Sequence, residues 1–382
     1  MKILMTTDTL GGVWAYCMEL CAALKPHGVE IMLATMGRPL SLEQRRQADL
    51  LDNLTLQEST WRLCWMEEPW EDVDRAGDWL LSLAHRYQPD VIHLNDLGHG
   101  DLPWTRPVLI VGHSCVLSWW DAVKKQPAPA EWQHYTERVG AGLRNADLLI
   151  APTHAMYKAL VHHYGPITTL DQSNNVIYNG SNFPALAESP SEKFSYAEPM
   201  IFAAGRIWDE AKNIATLSAV AEELSWPVYV AGEVRQPNGR GVAPNNLHCL
   251  DFLHNAEMAR WLARASIFVA PARYEPFGLA ILEAARAGCA LVLGNIDSLY
   301  EVWGDAAVYV DPDDPQQLRD TINNLIDNPD RRRQLSALAW QRSQSYFADQ
   351  MACEYLNAYE ALANHAAYST HHSVTSLSGL HV

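Results

Sequence analysis

The sequence predicts an α/β protein made of two doubly wound domains. Three observations carry that expectation: a length of 382 residues, an alternation of short aliphatic runs with segments of helical period, and the restart of that alternation after Asn179-Gly180. A chain this long exceeds what one hydrophobic core usually serves.

In the first half, Lys2 to Thr6, Glu30 to Met36, Val91 to Asn95, Val108 to Gly112, Leu148 to Ala151 and Val176 to Tyr178 read as strands. Trp14 to Leu24 and Asp78 to Arg86 carry apolar residues at helical spacing. Helices that join strands in this way imply a mostly parallel sheet covered on both faces, so residues 1–182 are expected to form a Rossmann-like domain. Met1 to Met5 runs straight into polar Thr6-Thr7-Asp8 and reads as its first strand rather than as a signal peptide.

Residues 183–198 are rich in Pro, Glu and Ser and suit a linker. Strand-like runs resume at Met200 to Ala204, Val228 to Ala231, Ser266 to Ala270, Ala290 to Leu293 and Ala307 to Val310, with helical spacing over Ile214 to Leu224 and Ala256 to Ala263. A second Rossmann-like domain is therefore expected over 199–345. Phe347, Met351, Tyr355, Tyr359 and Leu362 make one apolar stripe, which predicts a helix over 346–364 that crosses back to pack on the first domain. Residues 365–382 show no period and are expected to be a disordered tail.

The formal charge of −17 disfavours phosphodiester backbones and anionic lipid surfaces as partners, so no nucleic acid is expected. Seven scattered cysteines without a C-x-x-C pair suggest reduced thiols and a cytoplasmic address. No run approaches the roughly 20 apolar residues needed to span a bilayer.

Thr9-Leu10-Gly11-Gly12-Val13 lies where the first strand hands over to the first helix, a place where glycines let a ligand approach the backbone or simply allow a tight turn. The G-x-G-x-x-G spacing is missing and Ala34-Thr35-Met36 offers no acid for a ribose, which argues against a nicotinamide dinucleotide. In the second half, Gly205-Arg206 followed by Lys212 places two cations after a strand. They suit a diphosphate, or they pair with Asp209 and Glu210 at the surface.

The most informative stretch runs from Pro271 to Gly288. Pro276 fits a first helical turn, which would aim the amides of Phe277, Gly278 and Leu279 at an anion. Glu275 stands just before that helix and Glu283 over a turn inside it, both suited to sugar hydroxyls. Asp72-x-Asp74 and Asp311-x-Asp313 lie in charged or turn-rich surroundings that do not favour a metal, and Trp119 and Trp120 offer flat faces suited to a sugar ring.

With these residues the chain resembles a retaining glycosyltransferase of family 4, of the two-Rossmann GT-B architecture. The resemblance runs through Gly11-Gly12, Asp90-Val-Ile-His93, His113, Asn179-Gly180, Gly205-Arg206 with Lys212, and Glu275 through Glu283, covering nearly all of residues 1–364. It implies two domains facing a central cleft. It further implies Arg206 and Lys212 on a donor diphosphate, Glu275 beside the transferred sugar, Glu283 on the ribose, Gly12 near the phosphates and His113 lining the cleft. The substrates would be a nucleoside diphosphate sugar and a saccharide or other hydroxyl acceptor, with no cofactor and no metal.

Asn213 and Asp251 stand where the family often has glycine. On the residues alone His113 fits a hydrogen-bonded structural histidine as well as a site residue. Other readings of the same architecture are a sugar-nucleotide epimerase, a phosphorylase, or a non-catalytic sugar-nucleotide-binding protein.

Overall fold

The computed structural model describes residues 1–167, 175–183, 193, 198–235 and 241–377. The chain divides into two compact units. The first holds Met1–Ser118, Ala128–Gly180 and Ala348–Val382; the second holds Trp119–Pro127 and Ser181–Phe347.

In the first unit, β1 (Lys2–Asp8), β2 (Glu30–Met36), β3 (Leu54–Glu58), β4 (Val91–Leu94), β5 (Val108–Val111) and β6 (Leu148–Ile150) form one sheet in the order β3-β2-β1-β4-β5-β6. In the second, β7 (Glu198–Ala204), β8 (Val228–Ala231), β9 (His248–Cys249), β10 (Ala265–Ala270), β11 (Ala290–Gly294) and β12 (Val308–Val310) are ordered β12-β11-β10-β7-β8-β9. Every pairing in both sheets is parallel. Counted from its own first strand, each sheet has the doubly wound order 3-2-1-4-5-6, in which the direction of strand addition reverses between the first and fourth strands. Those switch points lie between β1 and β4 and between β7 and β10.

The central strands are hidden on both faces, as a parallel sheet between helices requires: β4, β5 and β11 are buried at every position. Each Leu, Ile or Val so enclosed contributes about 1.5–3 kcal/mol. In the second unit Ile201, Val230, Ile267 and Val292 meet Leu217, Ile322 and Leu335 from the helices Ile214–Val220, Pro315–Asp327 and Pro329–Ser343.

Three local readings are corrected. Val176 to Tyr178 does not form a strand of the sheet, and among the described residues it pairs through an isolated bridge from Val176 to Ala151. Lys193, in the expected linker, is fully buried in the second unit, with Nζ donating to the Leu262 carbonyl at 2.8 Å and lying 3.1 Å from Cys289 Sγ. Most of the remaining linker, residues 184–192 and 194–197, is outside the described residues.

The third correction concerns the end of the chain. One helix, Ala348–Leu377, runs well past residue 364, because Ala361, Ala363, Ala366 and Ala367 favour helix and no Gly or Pro intervenes before Gly379. Residues 378–382 are outside the described residues. Met351, Tyr355, Tyr359 and Leu362 are buried within the first unit against the helix Gly12–Leu24 and β4, whereas Phe347 precedes the helix and is 37% exposed. Among the described residues no helix is long and apolar enough to cross a membrane. All seven cysteines are free thiols.

Candidate active site

The second unit's switch point gathers most of the charged candidates. β7 ends at Ala204, and Gly205 leaves it at φ +150°, where an added Cβ would lie 3.1 Å from the Lys212 side chain. Gly232, after the adjacent β8, has no room for a side chain either, since its Cβ would fall 2.0 Å from the Gly205 carbonyl oxygen. The loop then carries Arg206, whose Nη2 donates to Asp209 Oδ2 at 2.6 Å and whose guanidinium lies 5.2 Å from the centre of the Trp208 ring.

Asp209 is 7% exposed. Burial alone would raise its carboxyl, but Arg206, Lys212 and the Ala211 amide outweigh that and hold it below the usual carboxylate range. The surface pairing that the sequence allowed for Arg206 is thus present, although its partner is buried. Glu210 pairs instead with Lys124, which donates to both carboxylate oxygens.

Lys212 Nζ donates to Glu275 Oε2. The two side chains are 24% and 16% exposed, so the pair is partly shielded from water. Glu275 follows β10, the strand beside β7, and Ser298 Oγ donates to its backbone carbonyl at 2.6 Å. Asn213 ties the two loops together: Nδ2 donates to the carbonyls of Pro271 and Pro312 at 2.8 Å each, and Oδ1 accepts from Arg273 and Thr216. Arg273 also gives its backbone amide to the Ala211 carbonyl at 2.9 Å.

The helix after this loop starts later than Pro276 suggests. It spans Leu279–Arg286 with Gly278 as its cap at φ +90°, and the amides of Ile281 and Leu282 both return to the Gly278 carbonyl. Pro276, Phe277 and Gly278 therefore precede the helix, and the amides at its positive end are those of Leu279 and Ala280. The Phe277 side chain is 2% exposed and packs edge-on against Tyr346, as a core residue. Glu283 lies one turn into the helix and is half-buried. A cavity of about 410 Å³ lies beside the Arg206 loop, but Ile207, Trp208, Val234, Val242 and Pro244 line it and none of the charged candidates does.

In the first unit Gly11 caps the helix Gly12–Leu24. A Cβ built on Gly12 meets nothing within 4 Å, so packing does not demand this glycine. His113 follows β5 and is held at Nε2, 2.8 Å from Asn95 Oδ1, with the Tyr16 ring edge-on at 4.5 Å. Burial, with the neighbouring His93, pushes its imidazole down to about 3.

His93 is fully buried, with Nδ1 2.6 Å from Tyr359 Oη and Nε2 3.1 Å from Asn95 Oδ1. Asn95 and Ser298 are neighbours of the candidate residues that motif reading missed, and Asp209 was read only as a surface partner of the two cations. Asn95 had a signal, two residues after the Asp90-Val-Ile-His93 run.

Three of the four paired aspartates are engaged by arginines, Asp72 by Arg62, Asp74 by Arg138 and Asp313 by Arg273, and Asp311 accepts from the Asp313 amide at 2.9 Å. Trp119 and Trp120 stand edge to face at 5.8 Å and belong to the second unit rather than the first.

The sequence matches the family described as Glycosyltransferase Family 4 over residues 10–182 and the family described as Glycosyl transferases group 1 over residues 198–328. An O-antigen chain mannosyltransferase B of Escherichia coli is 30% identical over 123 residues, 32% of this chain and 32% of that protein, so the match spans about a third of the relative's length.

Two solved structures share the fold over nearly the whole chain. Sucrose-phosphate synthase from Thermosynechococcus elongatus superposes with a TM-score of 0.75 at 18% identity, covering 94% of this chain and 98% of that one. HepE of Anabaena, in complex with UDP and glucose, gives a TM-score of 0.72 at 16% identity, covering 95% and 100%. Two family matches that together cover residues 10–182 and 198–328, and an architecture shared over 94% of the chain, show that the chain belongs to the family 4-like glycosyltransferases of GT-B fold.

Proposed function

We propose that the chain is a retaining glycosyltransferase that moves a sugar from a nucleoside diphosphate sugar to a saccharide or other hydroxyl acceptor. The observation that carries this reading is the Lys212–Glu275 pair at the carboxyl ends of β7 and β10, where open α/β sheets take their ligands. Arg206 stands on the same loop, and the amides of Leu279 and Ala280 open the neighbouring helix.

In this mechanism Arg206 and Lys212 neutralise the charge that grows on the departing diphosphate, helped by the helix dipole. Glu275 accepts hydrogen bonds from the sugar and offsets positive charge at the anomeric carbon, while Glu283 takes the ribose hydroxyls. As the anomeric carbon–phosphate oxygen bond breaks, the acceptor oxygen bonds to the same face and its proton passes to the leaving phosphate. No side-chain base and no metal enter the scheme. The HepE complex, a protein of the same fold holding UDP and glucose, supports the substrate class.

The test is transfer assayed with uridine, guanosine and adenosine diphosphate sugars over a panel of saccharide acceptors. Arg206→Ala and Glu275→Ala should each abolish turnover while the circular dichroism spectrum stays that of the wild type. Full turnover in both variants overturns the assignment.

A further inference from the structure

We propose that Asn95 is a positioning residue that fixes the ring tautomer of His113, so that His113 meets a substrate hydroxyl through an unprotonated Nδ1 that can only accept. The inference rests on the glycosyltransferase reading and adds to it a residue outside the motifs.

Asn95 sits in a buried hydrogen-bond network whose directions can be assigned one by one. Asn95 is 9% exposed and lies just past β4, at the first unit's switch point. Its Nδ2 donates to the Thr6 carbonyl at 2.8 Å, and a carbonyl can only accept, so the amide orientation is settled and the other atom is Oδ1. Its backbone amide donates to Thr6 Oγ1 at 2.9 Å, which holds the residue against β1.

Oδ1 is likewise an acceptor only, and two imidazole nitrogens approach it: His93 Nε2 at 3.1 Å and His113 Nε2 at 2.8 Å. Both must then carry a hydrogen. His93 confirms the logic from its other side, because its Nδ1, left as a lone pair, lies 2.6 Å from Tyr359 Oη, which donates to it. Asn95 Oδ1 and both nitrogens of His93 are matched when each ring carries its hydrogen on Nε2.

His113 differs from His93 at one position. Its Nδ1 has no hydrogen-bond partner among the described residues, and the residue is only partly buried. Among the described residues the titratable groups around this network are His93 on β4, Tyr16 and Cys17 on the first helix, with Cys17 Sγ 3.4 Å from Asn95 Nδ2, and Tyr355 and Tyr359 on the last helix beyond them. None supplies a negative charge that would favour the imidazolium. A neutral ring with Nε2–H fixed and Nδ1 open accepts from a sugar or acceptor hydroxyl and cannot serve as a general acid.

The test uses the full-length protein labelled with 15N-histidine. Two-bond 15N–1H spectra of the wild type should show His113 as the neutral Nε2–H tautomer from pH 8 down to pH 5 or below. Asn95→Asp keeps the acceptor and adds a charge, so His113 should titrate at least about one pH unit higher, and the pH below which transfer is lost should rise by the same amount.

Tyr359→Phe removes the donor to His93 but leaves Asn95 in place, and the His113 tautomer should stay as in the wild type. The inference is overturned by a wild-type His113 carrying its hydrogen on Nδ1, by loss of the tautomer in Tyr359→Phe, or by an Asn95→Asp pH profile that superimposes on the wild type. Should Asn95→Asp fail to fold, the wild-type and Tyr359→Phe spectra still decide. A wild type that transfers no sugar from any donor overturns the functional reading instead, and the spectra still report on Asn95.

Discussion

Lys212 and Glu275 come from loops that follow adjacent strands, and they meet as an ion pair at the second unit's switch point. The carboxylate neutralises the lysine wherever no phosphate does. Removing Glu275 therefore has two separable effects. Glu275→Gln should lower transfer by about 10²–10³-fold, the loss typical of one group that stabilises developing charge. The same variant should bind nucleoside diphosphate at least as tightly as the wild type by calorimetry, since Lys212 is released, whereas Lys212→Ala should bind it more weakly.

Asn213 and Asp251, the two positions where the family resemblance leads one to expect glycine, share a conformation. Both have positive φ, 56° and 54°, in the left-handed region that Gly, Asn and Asp tolerate best. Asn213→Ala should cost about 2–4 kcal/mol in urea unfolding, from about 1 kcal/mol of left-handed strain and the loss of bonds to buried carbonyls. Asn213→Gly avoids the strain and should cost less. Asp251→Gly should be nearly neutral.

The buried Asp96–His99 pair gives a stability term with two edges. Burial opposes the charge on both groups, but their contact at 2.6 Å outweighs it, raising His99 and lowering Asp96. A raised histidine contributes fully below its unfolded value near 6.5 and loses that contribution as pH climbs through the folded value. The lowered carboxyl contributes above its unfolded value of 3.8 and loses that as pH falls through the folded value. The stability difference between wild type and His99→Gln should therefore be largest between about pH 4 and 6.5 and shrink on either side.

His93 and His113 behave in the opposite sense. Burial pushes both down to about 3, so both are neutral in the folded protein and their contribution is complete above about pH 6.5. Between pH 6 and pH 4 unfolding should take up one proton at each, steepening the acid loss of stability by about 1.4 kcal/mol per pH unit per histidine. Urea titrations of His93→Gln across this range should show a shallower slope than the wild type.

The sequence made the buried framework legible, because strands covered on both faces must be runs of Val, Ile, Leu and Ala. It was weakest at the sheet margins. Leu54–Glu58 is half-exposed along its length and His248–Cys249 has only two residues, so neither carries a hydrophobic run that stands out. The charged candidates were legible as motif, and Arg206, Lys212, Glu275 and Glu283 fall on one loop pair and the helix after it. Pro276 misled, since a proline suited to a first helical turn also suits the turn that comes before a glycine cap. Asn95 stayed hidden because its importance lies in the direction of its hydrogen bonds, which only the folded arrangement of β1, β4 and β5 defines.

The helix Ala348–Leu377 has a consequence for the order of synthesis. Its Tyr355 and Tyr359 close over Tyr16 and His93, residues translated hundreds of codons earlier. The amino-terminal body is the first to emerge from the ribosome and the last to be finished. Until the carboxyl-terminal segment arrives, it must wait with an apolar seam open to water, which makes that seam the natural place for a chaperone to hold the nascent chain.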